Sequence, residues 1–274
     1  MCEERVGHLE RLGFAESGRC AVPESEETPW WSPEVLAEKE RLVRSGIDDA
    51  SSDIRNDYAA YKFLSAGADP IASGLYLHNE FDWTRIGTVC ADYRRIVQSV
   101  TSKQPERIAD LGAGAGFTTE GLRRAWPGAT VVGFELSEDA VTYARRQWSE
   151  CRFESGAIRH DAALAGGPFD LILCQEFYPF TRTGRADDHR QWIDFLRVNL
   201  APGGVALITV TSSNTESINA TYATLRRESE LGRIRLAAPR LARKLPFVLS
   251  RVAGSALAVV RPAWSRSIYV VTGG

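Results

Sequence analysis

The run Asp110-Leu-Gly-Ala-Gly-Ala-Gly116 constrains this chain more than any other feature. It follows a strand-like segment, Arg107 to Leu111, and opens a helical pattern, Thr118 to Trp126. Glycine adopts positive φ and carries no Cβ. A strand-to-helix turn of this composition therefore lets the backbone approach a ligand closely at the carboxyl edge of a parallel sheet.

The run is not in the G-x-G-x-x-G register of dinucleotide sites. Its third glycine falls at Gly116, and Phe117 stands where tight helix packing wants a glycine. A carboxylate at Asp110 sits poorly beside a pyrophosphate and suits a ligand with a cationic amino group, met directly or through water. Glu135 ends the next strand, 23 residues after Gly112, where a carboxylate can accept hydrogen bonds from both ribose hydroxyls. Together these residues favour S-adenosylmethionine over NAD.

The surrounding pattern is that of parallel βαβ units, with short β-rich runs alternating with helical ones. Expected strands are Arg107 to Leu111, Thr130 to Leu136, Ala157 to His160, Phe169 to Gln175 and Gly204 to Thr211. Expected helices between them are Thr118 to Trp126, Glu138 to Glu150 and Asp188 to Asn199. Leu200-Ala-Pro-Gly-Gly204 reads as a tight turn before the fifth strand. Farther on, Ala256 to Arg261 and Ser267 to Thr272 are β-branched runs joined by Pro262-Ala263-Trp264, the pattern of a closing antiparallel hairpin.

Upstream, residues 1–32 mix glycine, proline and acidic residues and read as a loosely structured arm. Apolar residues recur at helical spacing over Pro33 to Ser45, Asp48 to Ala66 and Glu80 to Val100. The expected organisation is an arm at 1–32, a helical lid and substrate segment at 33–104, and a cofactor-binding domain at 105–274. That domain carries a helical insertion at about 214–254.

Composition narrows the partners. With 33 basic and 35 acidic residues the formal net charge is −2, so no global field favours nucleic acid. Five cysteines are scattered singly without metal-ligand spacing. They read as reduced thiols of a cytoplasmic protein, and no metal site is expected. The N-terminus shows no signal-peptide pattern, and Val252 to Val260 is far too short to span a bilayer.

The ordered set of Asp110 to Gly116, Glu135, Asp161, the Phe169 to Phe177 segment and Pro202-Gly203-Gly204 resembles the class I S-adenosylmethionine-dependent methyltransferase family. The resemblance implies an α/β, Rossmann-like doubly wound sheet of seven strands with a reversed last strand. It also implies a cofactor over Gly112, Gly114 and Gly116 and methyl transfer to an acceptor under the N-terminal lid. Asp110, Glu135, Leu136, Asp161, Ala162 and Gln175 complete the expected cofactor set. Asp161 either receives the adenine amino group, beside an amide from Ala162, or caps a helix; Glu135 in isolation would be an exposed strand end.

Methyl transfer is a displacement at an already activated carbon. Positioning contributes most, and a base is needed only when the nucleophile carries a proton. His78 and His189 are the candidate bases and Tyr178 a candidate lining the methyl site, while Tyr58, Glu176 and Arg182 are candidates for the acceptor. Each has a plainer reading as solvated loop or packed aromatic. The expected substrate is a hydroxyl or amine of a small molecule, such as a specialised metabolite or sugar.

Two alternatives stay open. The arginine-rich stretch from Arg233 to Arg261, interleaved with apolar residues, suits a membrane-peripheral enzyme acting on a lipid or quinone-like acceptor. A cofactor-binding protein of this fold that does not transfer methyl is the other. A homo-oligomer is compatible with either.

Overall fold

The computed structural model describes residues 83–136, 138–181, 185–210, 216–238, 241, 244–260 and 265–273. The expected arm and the expected helices at 33–45 and 48–66 lie outside the described residues, as do Tyr58, His78 and Arg182.

Helix α1, Trp83–Val100, buries Ile86, Cys90, Tyr93, Ile96 and Val97, a stripe at helical spacing. Strand β1 (Arg107–Leu111) then leads to α2 (Phe117–Ala125), β2 (Thr130–Glu135), α3 (Glu138–Gln147) and β3 (Arg152–Ser155). Next come β4 (Phe169–Gln175), the short α4 (Tyr178–Thr181), α5 (Ala186–Asn199) and β5 (Leu200–Thr209). The chain ends through α6 (Glu216–Arg227), β6 (Gly232–Ala237), α7 (Phe247–Val260) and β7 (Ser265–Thr272).

The seven strands form one sheet in the order β3-β2-β1-β4-β5-β7-β6. Strands β1 to β5 pair in parallel, and β7 runs antiparallel to both of its neighbours. This is the doubly wound sheet with a reversed last strand.

Alternation along the strands builds two apolar layers. Ile108, Val131, Leu171, Val205 and Ile268 face the layer that contains α1, α2 and α3 residues such as Tyr93, Leu122 and Val141. Ala109, Val132, Ile172, Ala206 and Tyr269 face the other, where Trp192, Ile193 and Leu196 of α5 and Tyr222 of α6 pack. Between α1 and β7, Asp92 and Arg266 form a buried ion pair.

Several expected elements moved. The third strand is Arg152–Ser155 rather than Ala157 to His160. Phe153 supplies its buried position, and Gly156, at φ 133, ends the pairing. Leu200 to Gly204 is not a free turn: β5 already pairs at Leu200 with Phe169, and a register shift before Val205 absorbs Gly203 at φ 72.

The closing hairpin is β6 with β7, so Gly232–Ala237, expected within a helical insertion, is a strand. Ala256 to Arg261, expected as its partner, belongs instead to α7 through Val260. Gly254 explains the change. A Cβ there would lie 2.3 Å from the Leu236 carbonyl carbon, so this glycine lets α7 lie directly on the β6 backbone.

Candidate functional site

Strand order reverses between β1 and β4, so the loops after these strands diverge and leave a crevice at their carboxyl ends. The glycine run follows β1 and the Gln175-Glu176-Phe177 segment follows β4. The two loops lie close together: a Cβ on Gly112 would lie 3.4 Å from Phe177 Cδ2.

Gly112, Gly114 and Gly116 have φ of 77, 56 and 83, so all three need the left-handed region that glycine tolerates. The Gly112 and Ala113 amides donate to the Phe134 carbonyl, and the Gly114 amide donates to Glu135 Oε2 at 2.8 Å. The loop is thereby tied to the end of β2. On its inner side Trp148 Nε1 donates to the Ala115 carbonyl at 2.9 Å. Phe153 and Trp148 close over Gly116, where a Cβ would meet either ring at 2.7 Å.

Asp110 lies beneath the loop, 2% exposed, and Thr119 donates its hydroxyl to Oδ2 at 2.7 Å. Burial pushes its carboxyl up to about 7; the Thr119 hydrogen bond opposes that rise and the Glu135 charge adds to it. Glu135 is half-buried at the crevice, not an exposed strand end. Leu136 follows it, half-buried.

From the β4 side, Gln175 is half-buried and its Oε1 accepts from the Tyr93 hydroxyl at 2.9 Å. Burial pushes the Tyr93 hydroxyl up, which keeps it a donor. Glu176 takes φ 54, an unusual conformation for a non-glycine residue, and its amide donates to Thr209. Backbone strain of this kind concentrates at ligand sites.

The remaining expected residues are placed less centrally. Asp161 and Ala162 are exposed in the connection after β3, one strand outward from Glu135. No helix begins there, which removes the capping alternative for Asp161; its carboxylate instead holds Arg159 through bonds of 2.9 and 2.7 Å. That hydrogen bonding lowers the Asp161 carboxyl to about 2. Tyr178 opens α4. His189 is fully buried in α5, with its ring 5.5 Å from Phe180 and 5.3 Å from Tyr222.

Four residues that position the site were read from sequence only as packing or not singled out: Thr119, Tyr93, Trp148 and Phe177. Thr119 and Tyr93 sit on the buried faces of their helices, where an isolated polar group among apolar ones is the available signal. Among the described residues, no group of three or more His, Cys, Asp or Glu side chains can hold a metal ion.

A family model described as "Methyltransferase domain" matches residues 108–204, from β1 to the start of β5. Trans-aconitate 2-methyltransferase of Variovorax paradoxus (strain S110) is 34% identical over 123 residues, 45% of this chain and 45% of that protein. The protein of the same name from Mycolicibacterium gilvum (strain PYR-GCK) is 40% identical over 72 residues, 26% of this chain and 28% of its own. The matched stretches thus span less than half the length of these curated relatives.

Among solved structures, the plantazolicin methyltransferase BpumL in complex with a monoazolic desmethylPZN analog and SAH superimposes with a TM-score of 0.52 at 13% identity. That match covers 85% of this chain and 100% of the other. At this identity the likeness concerns the fold.

Proposed function

We propose that this chain, whose described domain has the fold of class I S-adenosylmethionine-dependent methyltransferases, binds S-adenosylmethionine and transfers its methyl group to a hydroxyl or amine of a small molecule. The observation that carries the reading is the Gly112 to Gly116 loop, tied to Glu135 and facing Gln175 and Phe177 across the strand-order switch. The donor set fits the cofactor. In this reading Glu135, at the end of β2, is the candidate for the ribose hydroxyls, and a cationic amino group held over the loop would draw the buried Asp110 carboxyl, which titrates at about 7, toward its charged form. Asp161 and Ala162, one strand outward, are the candidates for the adenine.

The cofactor supplies an electrophilic methyl on a sulfonium. What the chain contributes is placement and exclusion of water. Tyr93 holds Gln175 at the end of β4, and Phe177 closes the crevice beside Gly112. A base is required only for a protonated acceptor. Glu176 and Tyr178, which follow β4 directly, are the nearest candidates in sequence to the transfer point, whereas His189 lies among aromatic rings.

The test is release of S-adenosylhomocysteine from the full chain with S-adenosylmethionine and a panel of hydroxylated, amino and carboxylate small molecules, trans-aconitate among them. Release that depends on a hydroxyl or amine acceptor supports the reading. Turnover confined to carboxylates reassigns the acceptor. Cofactor binding without turnover on any member contradicts transfer to this class of acceptor.

A further inference from the structure

Helix α7 wears its apolar side outward. Ser250 and Gly254 are buried against the hairpin, whereas Val252, Val259 and Val260 are 64%, 81% and 76% exposed. Val248 and Leu249 are exposed too. At 100° per residue, Val248, Val252 and Val259 form one stripe directly away from the sheet, flanked by Leu249 and Val260. These apolar side chains share one face of the helix and are not scattered over the surface.

Charge identifies what it meets. Residues 231–274 contain eight Lys and Arg and no Asp or Glu, while the preceding 230 residues hold 25 basic and 35 acidic. Lys244 precedes the helix and Arg251 borders the stripe, both exposed. Arg233 and Arg235 lie half-exposed on β6, against which α7 packs. A second copy docking through the same face would bring these cations together, which like-charge repulsion opposes. An apolar stripe bordered by cations is complementary to anionic lipid, whose headgroups meet the charges while the acyl boundary takes the valines. The helix has 14 residues, too few to cross a bilayer.

We propose that α7 lies in the surface of an anionic membrane, with Val248, Val252 and Val259 inserted and Lys244 and Arg251 at the headgroups. Docking of this kind leaves the helix in the interface without crossing the bilayer, and it stands whatever the methyl acceptor is.

The test is co-sedimentation of the full chain with phosphatidylcholine vesicles, with and without about one-third phosphatidylserine, at low and high salt. The expected result is binding to the anionic vesicles that weakens with salt. It should fall on the order of 10-fold or more in Lys244→Glu/Arg251→Glu and in Val252→Asp/Val259→Asp, with melting temperature and S-adenosylhomocysteine affinity unchanged. A wild-type chain that stays in the supernatant with anionic vesicles at low salt overturns the proposal. So does unchanged binding by Val252→Asp/Val259→Asp, or loss of a dimer as that variant's only effect.

Discussion

The Gly114 amide donates to Glu135 Oε2 at 2.8 Å, so the glycine loop and the end of β2 form one unit. Glu135 therefore holds the loop, and in the proposed function it also receives the ribose. Glu135→Ala removes both. Hydrogen bonds to a charged group contribute about 1.5–3 kcal/mol, so affinity for S-adenosylmethionine and S-adenosylhomocysteine should each fall on the order of 10- to 100-fold. Calorimetric titration checks this; unchanged affinity removes the ribose assignment.

Gly116 is sterically required. It stands at φ 83, and a Cβ would press on Phe153 and Trp148 at 2.7 Å. Gly116→Ala should cost about 2–4 kcal/mol from overpacking and left-handed strain, read as a lower urea midpoint. Gly128, where a Cβ meets nothing within 4 Å, is the control, and Gly128→Ala should leave the midpoint nearly unchanged.

Asp110 makes stability depend on pH. Its folded carboxyl titrates at about 7 because burial disfavours the charge, whereas an unfolded aspartate titrates at about 3.9. Between these values the folded state binds more protons, so the Asp110 contribution falls as pH rises from about 4 to 7 and is constant above that window. Asp110→Asn should flatten this decline. Urea unfolding of both proteins at pH 5 and pH 8 tests it, and parallel pH dependence in the two contradicts it.

Asp92 and Arg266 join α1 to β7 as an ion pair whose side chains are 2% and 8% exposed. Asp92→Ala leaves Arg266 buried without that carboxylate and should cost about 3–5 kcal/mol. Replacing both partners by apolar residues of similar volume should recover most of that loss. Denaturant melts of the single and double variants distinguish a pair that positions α1 from one that contributes nothing.

Strands β1 and β4 were legible to the residue, because Arg107–Leu111 and Phe169–Gln175 are short, mainly apolar segments set off by Pro105 and Gly112 and by Gly167 and Pro168. The glycine loop was legible for a related reason: three glycines between a strand and a helix carry a backbone requirement in their identity. What escaped depended on tertiary context. Ala256 to Val260 ends in two β-branched valines, but its alanines and leucine favour a helix and Gly254 lets that helix lie on β6. The Arg233-Ile-Arg-Leu236 alternation, a strand signature, was masked by its arginines.

The site's supports were hidden in the same way. Nothing local in Thr119 or Tyr93 announces a partner 9 or 82 residues away. Only the juxtaposition of α2 with β1, and of α1 with β4, turns two helical polar groups into anchors for Asp110 and Gln175. His189, visible as a histidine after two aspartates, turns out to be enclosed by Phe180 and Tyr222 on the inner face of α5.

The central claim is that the crevice between β1 and β4 holds S-adenosylmethionine. Isothermal titration of the full chain with S-adenosylmethionine and with S-adenosylhomocysteine measures it directly. The account predicts one site per chain for each ligand, competing with one another and weakened together by Glu135→Ala; no binding of either ligand to the folded protein would contradict it.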